Sequence, residues 1–203
     1  MQLATSRLIL RDFVETDWER VLEYRADPLY SRHYPEEKCT EEGCRAFVAM
    51  TMGWAIETPR KKYQLAIVRA SDGLLIGNCG ARCSSESRWG SEAEFGCELD
   101  PRAWGRGYAT EAGRAIIGFA FDSLQVHRVF ARTFAENQPA AKLAERLGMR
   151  LEGRLRDRRY FKGRWWDHLF YAVLEHEWRC ESDLSAGRGL TCAANRRKHR
   201  KWR

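Results

Sequence analysis

Between Leu99 and Ala112 the chain reads Leu-Asp-Pro-Arg-Ala-Trp-Gly-Arg-Gly-Tyr-Ala-Thr-Glu-Ala. A strand-like run ends at Asp100-Pro101, two glycines follow, and an apolar stripe at helical spacing begins at once. Such a loop turns the first backbone N–H groups of a helix toward one point, where they hold an anion without side-chain charge. Gly105 and Gly107 permit positive φ and close approach, and Arg106 adds a cation. The backbone from Trp104 through Tyr108, Ala109 and Thr110 is therefore the candidate holder of a diphosphate. Upstream, Glu94 and Glu98 alternate with Phe95, Cys97 and Leu99, so both carboxylates share one strand face leading to the loop. Carboxylates so placed suit proton transfer through water. An arginine partner elsewhere in the sheet is the competing assignment for Glu94.

Three phosphate-binding readings compete with an ordinary strand-to-helix turn. A Walker A loop needs a Gly-Lys dipeptide, and the chain has none. A dinucleotide fingerprint needs a third glycine where Thr110 stands. The third reading is a coenzyme A loop.

The elements that must position these residues follow from pattern. Thr5–Asp12 reads as a strand, and Glu15–Ala26 as a helix stopped by Asp27-Pro28. Tyr30–Lys38 is a polar-aromatic loop, and Thr40 caps a helix through about Trp54. Tyr63–Arg69 and Leu74–Ala81 form a hairpin about Ser71-Asp72-Gly73, and Glu92–Asp100 is a third strand. Tyr108–Asp122 is an amphipathic helix, Val126–Phe134 a strand and Gln138–Leu147 a short helix. Met149–Tyr160 and Arg164–Leu174 are strands joined at Lys162-Gly163. Hairpins alternating with strand-helix-strand crossovers predict a mixed sheet.

Length and charge bound the rest. A chain of 203 residues with 44% hydrophobic content supports one domain with a sizeable core. No apolar run nears the roughly 20 residues of a membrane helix, and no signal-peptide core opens the chain, so the expected location is the cytoplasm. The net charge is +7, and from Ser185 onward there are seven basic residues and no acid. Basic character is thus expected in a mobile tail, 185–203, behind a formally neutral domain, 1–184, rather than on a face of the fold. Such a tail suits contact with a ribosome or another polyanion. The seven cysteines include only the lone spacing Cys79-x3-Cys83, so no metal is expected and most should be small buried hydrophobes. Asp167 and His168 are adjacent on a strand, hence on opposite faces, which argues against a dyad. Trp165-Trp166 reads as core and sheet packing rather than base stacking.

Taken as a set, several segments resemble the GNAT superfamily of N-acetyltransferases, and within it the RimJ/RimL-like branch, which includes enzymes acetylating ribosomal protein N-termini. These are Thr5-Ser-Arg-Leu-Ile-Leu-Arg11, Leu75-Ile-Gly77, Ala93-Glu-Phe-Gly96, Trp104–Ala112, Glu136-Asn137, Leu147-Gly-Met149, Glu152–Arg156 and Gly163–His168. The likeness spans roughly residues 5–178. It implies an α/β GNAT fold: one mixed, mostly antiparallel twisted sheet of about seven strands with a central splay, flanked by about four helices.

The resemblance also implies chemistry. Acetyl-CoA is the co-substrate, and a primary amine, of a protein N-terminus or a small molecule, attacks the thioester directly. Pantetheine lies between the splayed strands, against backbone groups of Cys97 and Leu99, and a Leu99 N–H faces the thioester carbonyl. Asn137 matches a pantetheine-binding asparagine, with helix N-cap as its other reading. Lys142 is a candidate for the adenosine phosphates or a solvated helix lysine. Glu94, with Glu98 second, is the candidate base, and the loop carrying His33 and Tyr34 the candidate reader of the acceptor. Neutralising an amine at pH 7 costs roughly 1 kcal/mol for an α-amine and 4.6 kcal/mol for lysine, which favours the former at a weak base. The chain departs from the family at Ala140 and Ala144, where serine and tyrosine are usual, and at Trp104 for Gln or Arg. No side chain at 140 or 144 can then protonate the thiolate; Tyr108 and Tyr160 are other hydroxyls, with nothing to select them. A GNAT-fold acyl-CoA binder without catalysis, and a nucleic-acid or ribosome binder acting through the tail, are the alternatives. Monomer and homodimer are equally compatible with the sequence.

Overall fold

In the computed structural model, residues 1–34, 36–83 and 91–185 are described; the tail expected after 185 lies outside them. The N-terminal half runs β1 (Gln2–Ala4), β2 (Leu8–Arg11), α1 (Asp17–Arg25), α2 (Pro28–Ser31), α3 (Glu41–Ala55), β3 (Lys62–Arg69) and β4 (Leu75–Cys83). The second half runs β5 (Glu92–Leu99), α4 (Tyr108–Asp122), β6 (Arg128–Phe134), α5 (Gln138–Arg146), β7 (Arg150–Phe161), β8 (Arg164–Leu174) and α6 (Glu175–Ser185). The strands form one sheet in the order β1-β2-β3-β4-β5-β6-β8-β7. Every pair is antiparallel except β5–β6, where α4 makes the crossover that a parallel pair requires.

Helices cover both faces. On one, Ile116, Ile117, Ala120 and Phe121 of α4 and Ala141, Ala144 and Leu147 at α5 bury against Leu65, Ile67, Phe95 and Val129 of the sheet. On the other, Val21 and Tyr24 of α1 and Cys44 and Val48 of α3 close over Ala66 and Leu75. The sheet's two apolar faces thus each receive a helical stripe of matching period.

The structure departs from the sequence reading in four places. The expected strand Thr5–Asp12 shortens to β2 and a further strand, β1, precedes it: Thr5 Oγ1 accepts from the Leu8 N–H at 3.0 Å, which turns the chain between the two. Asp27 accepts from the Leu29 N–H at 2.8 Å and starts the four-residue α2, which runs into the expected loop. The chain continues after β8 into α6, whose Trp178 meets Phe121 at 6.0 Å between ring centroids. The described sheet and helices therefore number eight and six rather than about seven and four. Finally, Trp166 is buried as expected but Trp165 is 56% exposed, and the long, exposed β7 gathers arginines on a face of the fold, not only in the tail.

Cys44 and Cys79 are buried, whereas Cys39, Cys83 and Cys97 are half-buried. No metal-holding group of His, Cys, Asp and Glu occurs among the described residues, and none of their helices is long and apolar enough to cross a membrane.

Candidate active site

The β5–β6 ladder runs from Glu92 opposite Arg128 to Phe95 opposite Ala131 and stops. Beyond it β5 stays with β4 as far as Leu99, while β6 stays with β8 as far as Phe134. The two strands therefore part in the middle of the sheet. Alternation decides what the gap sees. The Asp100 N–H donates to the Ile76 carbonyl at 2.9 Å, so even-numbered residues of β5 turn their backbone groups to β4. Cys97 and Leu99 turn theirs toward the gap that β6 has vacated. The Leu99 carbonyl is taken by Trp104 Nε1, which donates at 2.9 Å.

The loop after β5 is built by Asp100. Its carboxylate accepts from the Arg102 N–H at 2.9 Å and pairs with the Arg20 and Arg102 guanidiniums, fixing a 3-10 turn over Pro101–Ala103. Gly105 and Gly107 then adopt φ of 74° and 80°, and Gly107 is the N-cap of α4 with no side-chain cap. A Cβ at Gly105 meets nothing within 4 Å, so there the glycine serves conformation, not space. The first intrahelical bond is from the Glu111 N–H to the Gly107 carbonyl, so the amides of Tyr108, Ala109 and Thr110 precede it. None of the amides from Gly105 to Thr110 has an acceptor among the described residues. These orphaned donors at the N-terminus of a fifteen-residue helix fit a diphosphate.

Comparison with known proteins agrees with this geometry. The model of the Acetyltransferase (GNAT) domain matches residues 7–150. The uncharacterized N-acetyltransferase YnaD of Bacillus subtilis (strain 168) is 32% identical, over 88% of this chain and 99% of its own. The [ribosomal protein uS5]-alanine N-acetyltransferase of Escherichia coli (strain K12) is 25% identical, over 88% and 93%. Among solved structures, the acetyltransferase (GNAT family) from Bacillus anthracis superposes with a TM-score of 0.74 at 31% identity, covering 86% of this chain and 99% of that one. The chain belongs to the GNAT family of N-acetyltransferases.

In this GNAT fold the gap between β5 and β6 widens into a cleft of about 660 Å³ that reaches both sheet faces. One wall is Asn137, Ala140, Leu143 and Ala144 at α5 with Tyr171; the other is Gly43, Ala46, Phe47, Met50 and Trp54 of α3 with Tyr34. Gly96, Cys97 and Glu98 run between them. Cys97 is no nucleophile here, since burial pushes its thiol up to about 12.

The expected site residues divide accordingly. Glu98 lines the cleft and is locked: its carboxylate accepts from Arg25 Nη2 at 2.8 Å and Asn78 Nδ2 at 3.0 Å. Burial alone would raise its pKa, but the Arg25 charge and these hydrogen bonds hold it below the usual carboxylate range. Glu94 accepts from Arg132 Nε and Nη2 at 2.9 and 2.7 Å, and Arg82 Nη2 stands 3.8 Å away. The arginine partner weighed for Glu94 is therefore present. Asn137 is the N-cap of α5, accepting from the Ala140 N–H at 3.3 Å, and also lines the cleft. Lys142 is exposed on α5 and is not among the lining residues, although its neighbour Leu143 is. Tyr34 lines the cleft, stacked on Tyr30 at 4.5 Å, with its phenol pushed up by burial. His33 instead faces Trp166, and its Nδ1 is buried without a partner. Asp167 pairs with Arg154 and His168 packs on Phe134, as expected of opposite faces. Tyr160 lies outside the cleft, 59% exposed.

Sequence reading missed Arg25, Arg82 and Tyr171. Arg25 is 2% exposed, stacked over Phe47 at 4.2 Å, with Nε unpartnered. Its sequence signal was a helix-terminal arginine, indistinguishable from a solvated one. Tyr171 falls inside an apolar strand run and showed no signal at all.

Proposed function

We propose that this chain transfers an acetyl group from acetyl-CoA to a primary amine. The carrying observation is the parted β5–β6 pair, with unladdered Cys97 and Leu99 backbone groups at its edge and the uncapped amides of residues 105–110 at its end. The residues present fit the co-substrate: the amides suit its diphosphate, and the gap suits an extended amide-bearing arm. When bound, it supplies a thioester activated toward nitrogen. The Leu99 N–H is then directed at the carbonyl oxygen and stabilises its negative charge. Asn137, lining the same wall, is placed to hydrogen-bond the arm.

Because the cleft opens on both faces, the amine enters from the α3 side while coenzyme A lies on the α5 side. Glu94 is not itself a lining residue but is held by Arg132 and stands beside Arg82, both of which line the cleft, and from there it takes the amine's proton through water. Glu98, ionised and half-buried, orients Arg25 instead. With both carboxylates tied to arginines and Arg25, Arg82 and Arg132 all lining the cleft, a polycationic amine is a poor acceptor. An α-amine of a peptide, as for the ribosomal-protein relative, or a small amine carrying an acceptor oxygen fits better. Tyr34, Thr133 and Tyr171 are the hydroxyls lining the cleft, and Ala140 and Ala144 offer none.

A thiol-release assay over peptides, small amines and spermidine tests this reading, with calorimetry of acetyl-CoA in parallel. Turnover of peptide or small amines, and little of spermidine, is expected. Acetyl-CoA binding without turnover of any amine would leave a coenzyme binder; no binding at millimolar ligand would remove the proposal.

A further inference from the structure

Charge is unevenly placed on the folded domain. Residues 150–164 hold seven Arg or Lys against only Glu152 and Asp157, a net of five positive charges. Residues 1–184 are formally neutral, so the rest of the domain carries five negative ones. β7 is the edge strand of the sheet, and every residue from Arg154 to Tyr160 is exposed. Arg150 pairs with Glu177, Arg154 with Asp167, and Lys162 Nζ donates to the Ser31 carbonyl at 2.7 Å. Arg156 and Arg158 make no ion pair among the described residues, whereas Arg159 lies over the Phe161 ring at 5.7 Å.

The backbone presents these cations. Between Leu155 and Arg159 the β7–β8 register shifts, so Arg156, Asp157 and Arg158 bulge from the edge. The bulge is pinned: Asp157 has φ of 49° and its N–H donates to Asp167 Oδ1 at 2.9 Å. Just beyond, Tyr160 and Trp165 face each other across the strands, 59% and 56% exposed, with ring centroids 5.3 Å apart. Opposite them Phe161 and Trp166 stack at 4.8 Å and both rest on Phe134. The exposed pair therefore stands on a packed base.

We propose that the outer side of the β7–β8 hairpin docks single-stranded nucleic acid. Arg156 and Arg158 of the bulge take phosphates, and the Tyr160–Trp165 pair takes a base. Unpaired guanidiniums beside exposed rings are the combination that holds a flexible polyanion with planar bases. A second copy of the chain is disfavoured at this edge, because like charges and the bulge oppose strand-to-strand pairing. The surface lies outside the cleft and does not depend on acetyl transfer.

The test is fluorescence anisotropy of the full chain with labelled RNA and DNA oligonucleotides of one sequence, about 15 nucleotides long, over a salt series without acetyl-CoA. Replacing Arg156 and Arg158 by alanine should weaken binding at least tenfold and lower the salt slope by roughly 1.4. Y160A with W165A should weaken it roughly fivefold or more with the slope unchanged. The single variant R158E keeps the test available if a multiple variant fails to fold, as read from its melting curve. RNA and DNA should bind alike, since phosphates and ring faces are common to both. The proposal is overturned by absent binding, by a preference above tenfold for either acid, or by hairpin variants that bind normally. It is equally overturned if alanines at Arg196, Arg197, Lys198, Arg200 and Lys201 alone abolish binding, or if the hairpin variants only split a dimer.

Discussion

Arg7 and Glu111, far apart in sequence, lock the first hairpin onto the first turn of α4. Arg7 Nε donates to Glu111 Oε2 at 2.7 Å, and Arg7 Nη1 donates to the Arg106 carbonyl at 3.1 Å. The same carboxylate accepts from Thr5 Oγ1 at 2.6 Å, Ser6 Oγ at 3.0 Å and the Arg7 N–H at 2.8 Å. One acidic residue therefore ties the loop of Gly105 and Gly107 to the sheet edge, from just behind the amides proposed to hold the anion.

This tie is sensitive to acid. Burial works to raise the Glu111 pKa, but the Thr5, Arg7 and Ser6 hydrogen bonds bring it down to about 2. A carboxylate depressed on folding adds stability above its unfolded value near 4.5, and loses it as pH falls toward 2. After discounting for solvent screening the contribution is about 1 kcal/mol. Melting temperature against pH should fall through this window in the native chain and be flatter there for Glu111→Gln. Parallel curves for the two would refute the assignment.

The glycines of the loop should separate conformation from contact. Gly107→Ala forces a Cβ into the left-handed region at a cost of about 1–2 kcal/mol. Its expected result is acetyl-CoA affinity reduced about tenfold by calorimetry, with only a small change in melting temperature. Unaltered affinity would mean that the amides after Gly107 do not hold the ligand.

In the Arg25–Glu98 pair the guanidinium is buried and the carboxylate half-buried, and removing either partner strands the other. Arg25→Met or Glu98→Gln should each destabilise by about 3–5 kcal/mol, and the double variant by less than their sum. Denaturant unfolding provides the cycle; strict additivity would show the two do not interact.

Glu98 lines the cleft but is locked to Arg25 and Asn78, whereas Glu94 stands behind the lining residues Arg82 and Arg132, so their neutral isosteres should differ in kinetics. Glu94→Gln should lower kcat about 100-fold at pH 7 with the acetyl-CoA KM unchanged. A rate within twofold of the native one would dismiss Glu94 as the proton acceptor.

Tyr34 and His33 are neighbours in sequence but not in environment. Tyr34→Ala should raise the acceptor KM about tenfold, as expected for a lost cleft contact. His33→Ala, next to Trp166 and outside the cleft lining, should leave that KM unchanged. The reverse pattern would relocate the acceptor site.

Much of the architecture was readable because it rests on local rules. Thr40 accepts from the Gly43 N–H at 3.1 Å and caps α3, and α4 spans Tyr108–Asp122 as its apolar stripe requires. The turn of the loop was legible for the same reason: two glycines at a strand-to-helix junction permit the positive φ that Gly105 and Gly107 adopt. What stayed hidden depends on partners distant in sequence. That Glu94 meets Arg132 and Glu98 meets Arg25 follows from strand order and helix placement, which no spacing discloses. The basic face of β7 was overlooked because charge was summed along the chain, whereas an edge strand concentrates it in space.

The indole of Trp104 leaves the rim of the gap polar in one sense only. By covering the Leu99 carbonyl it removes an acceptor and spares the neighbouring donor, so the local field at that rim is positive. A bulky aromatic beside a phosphate loop thus does more than fill space: it biases the crevice toward whatever gains electrons there and against any cation that wanders in.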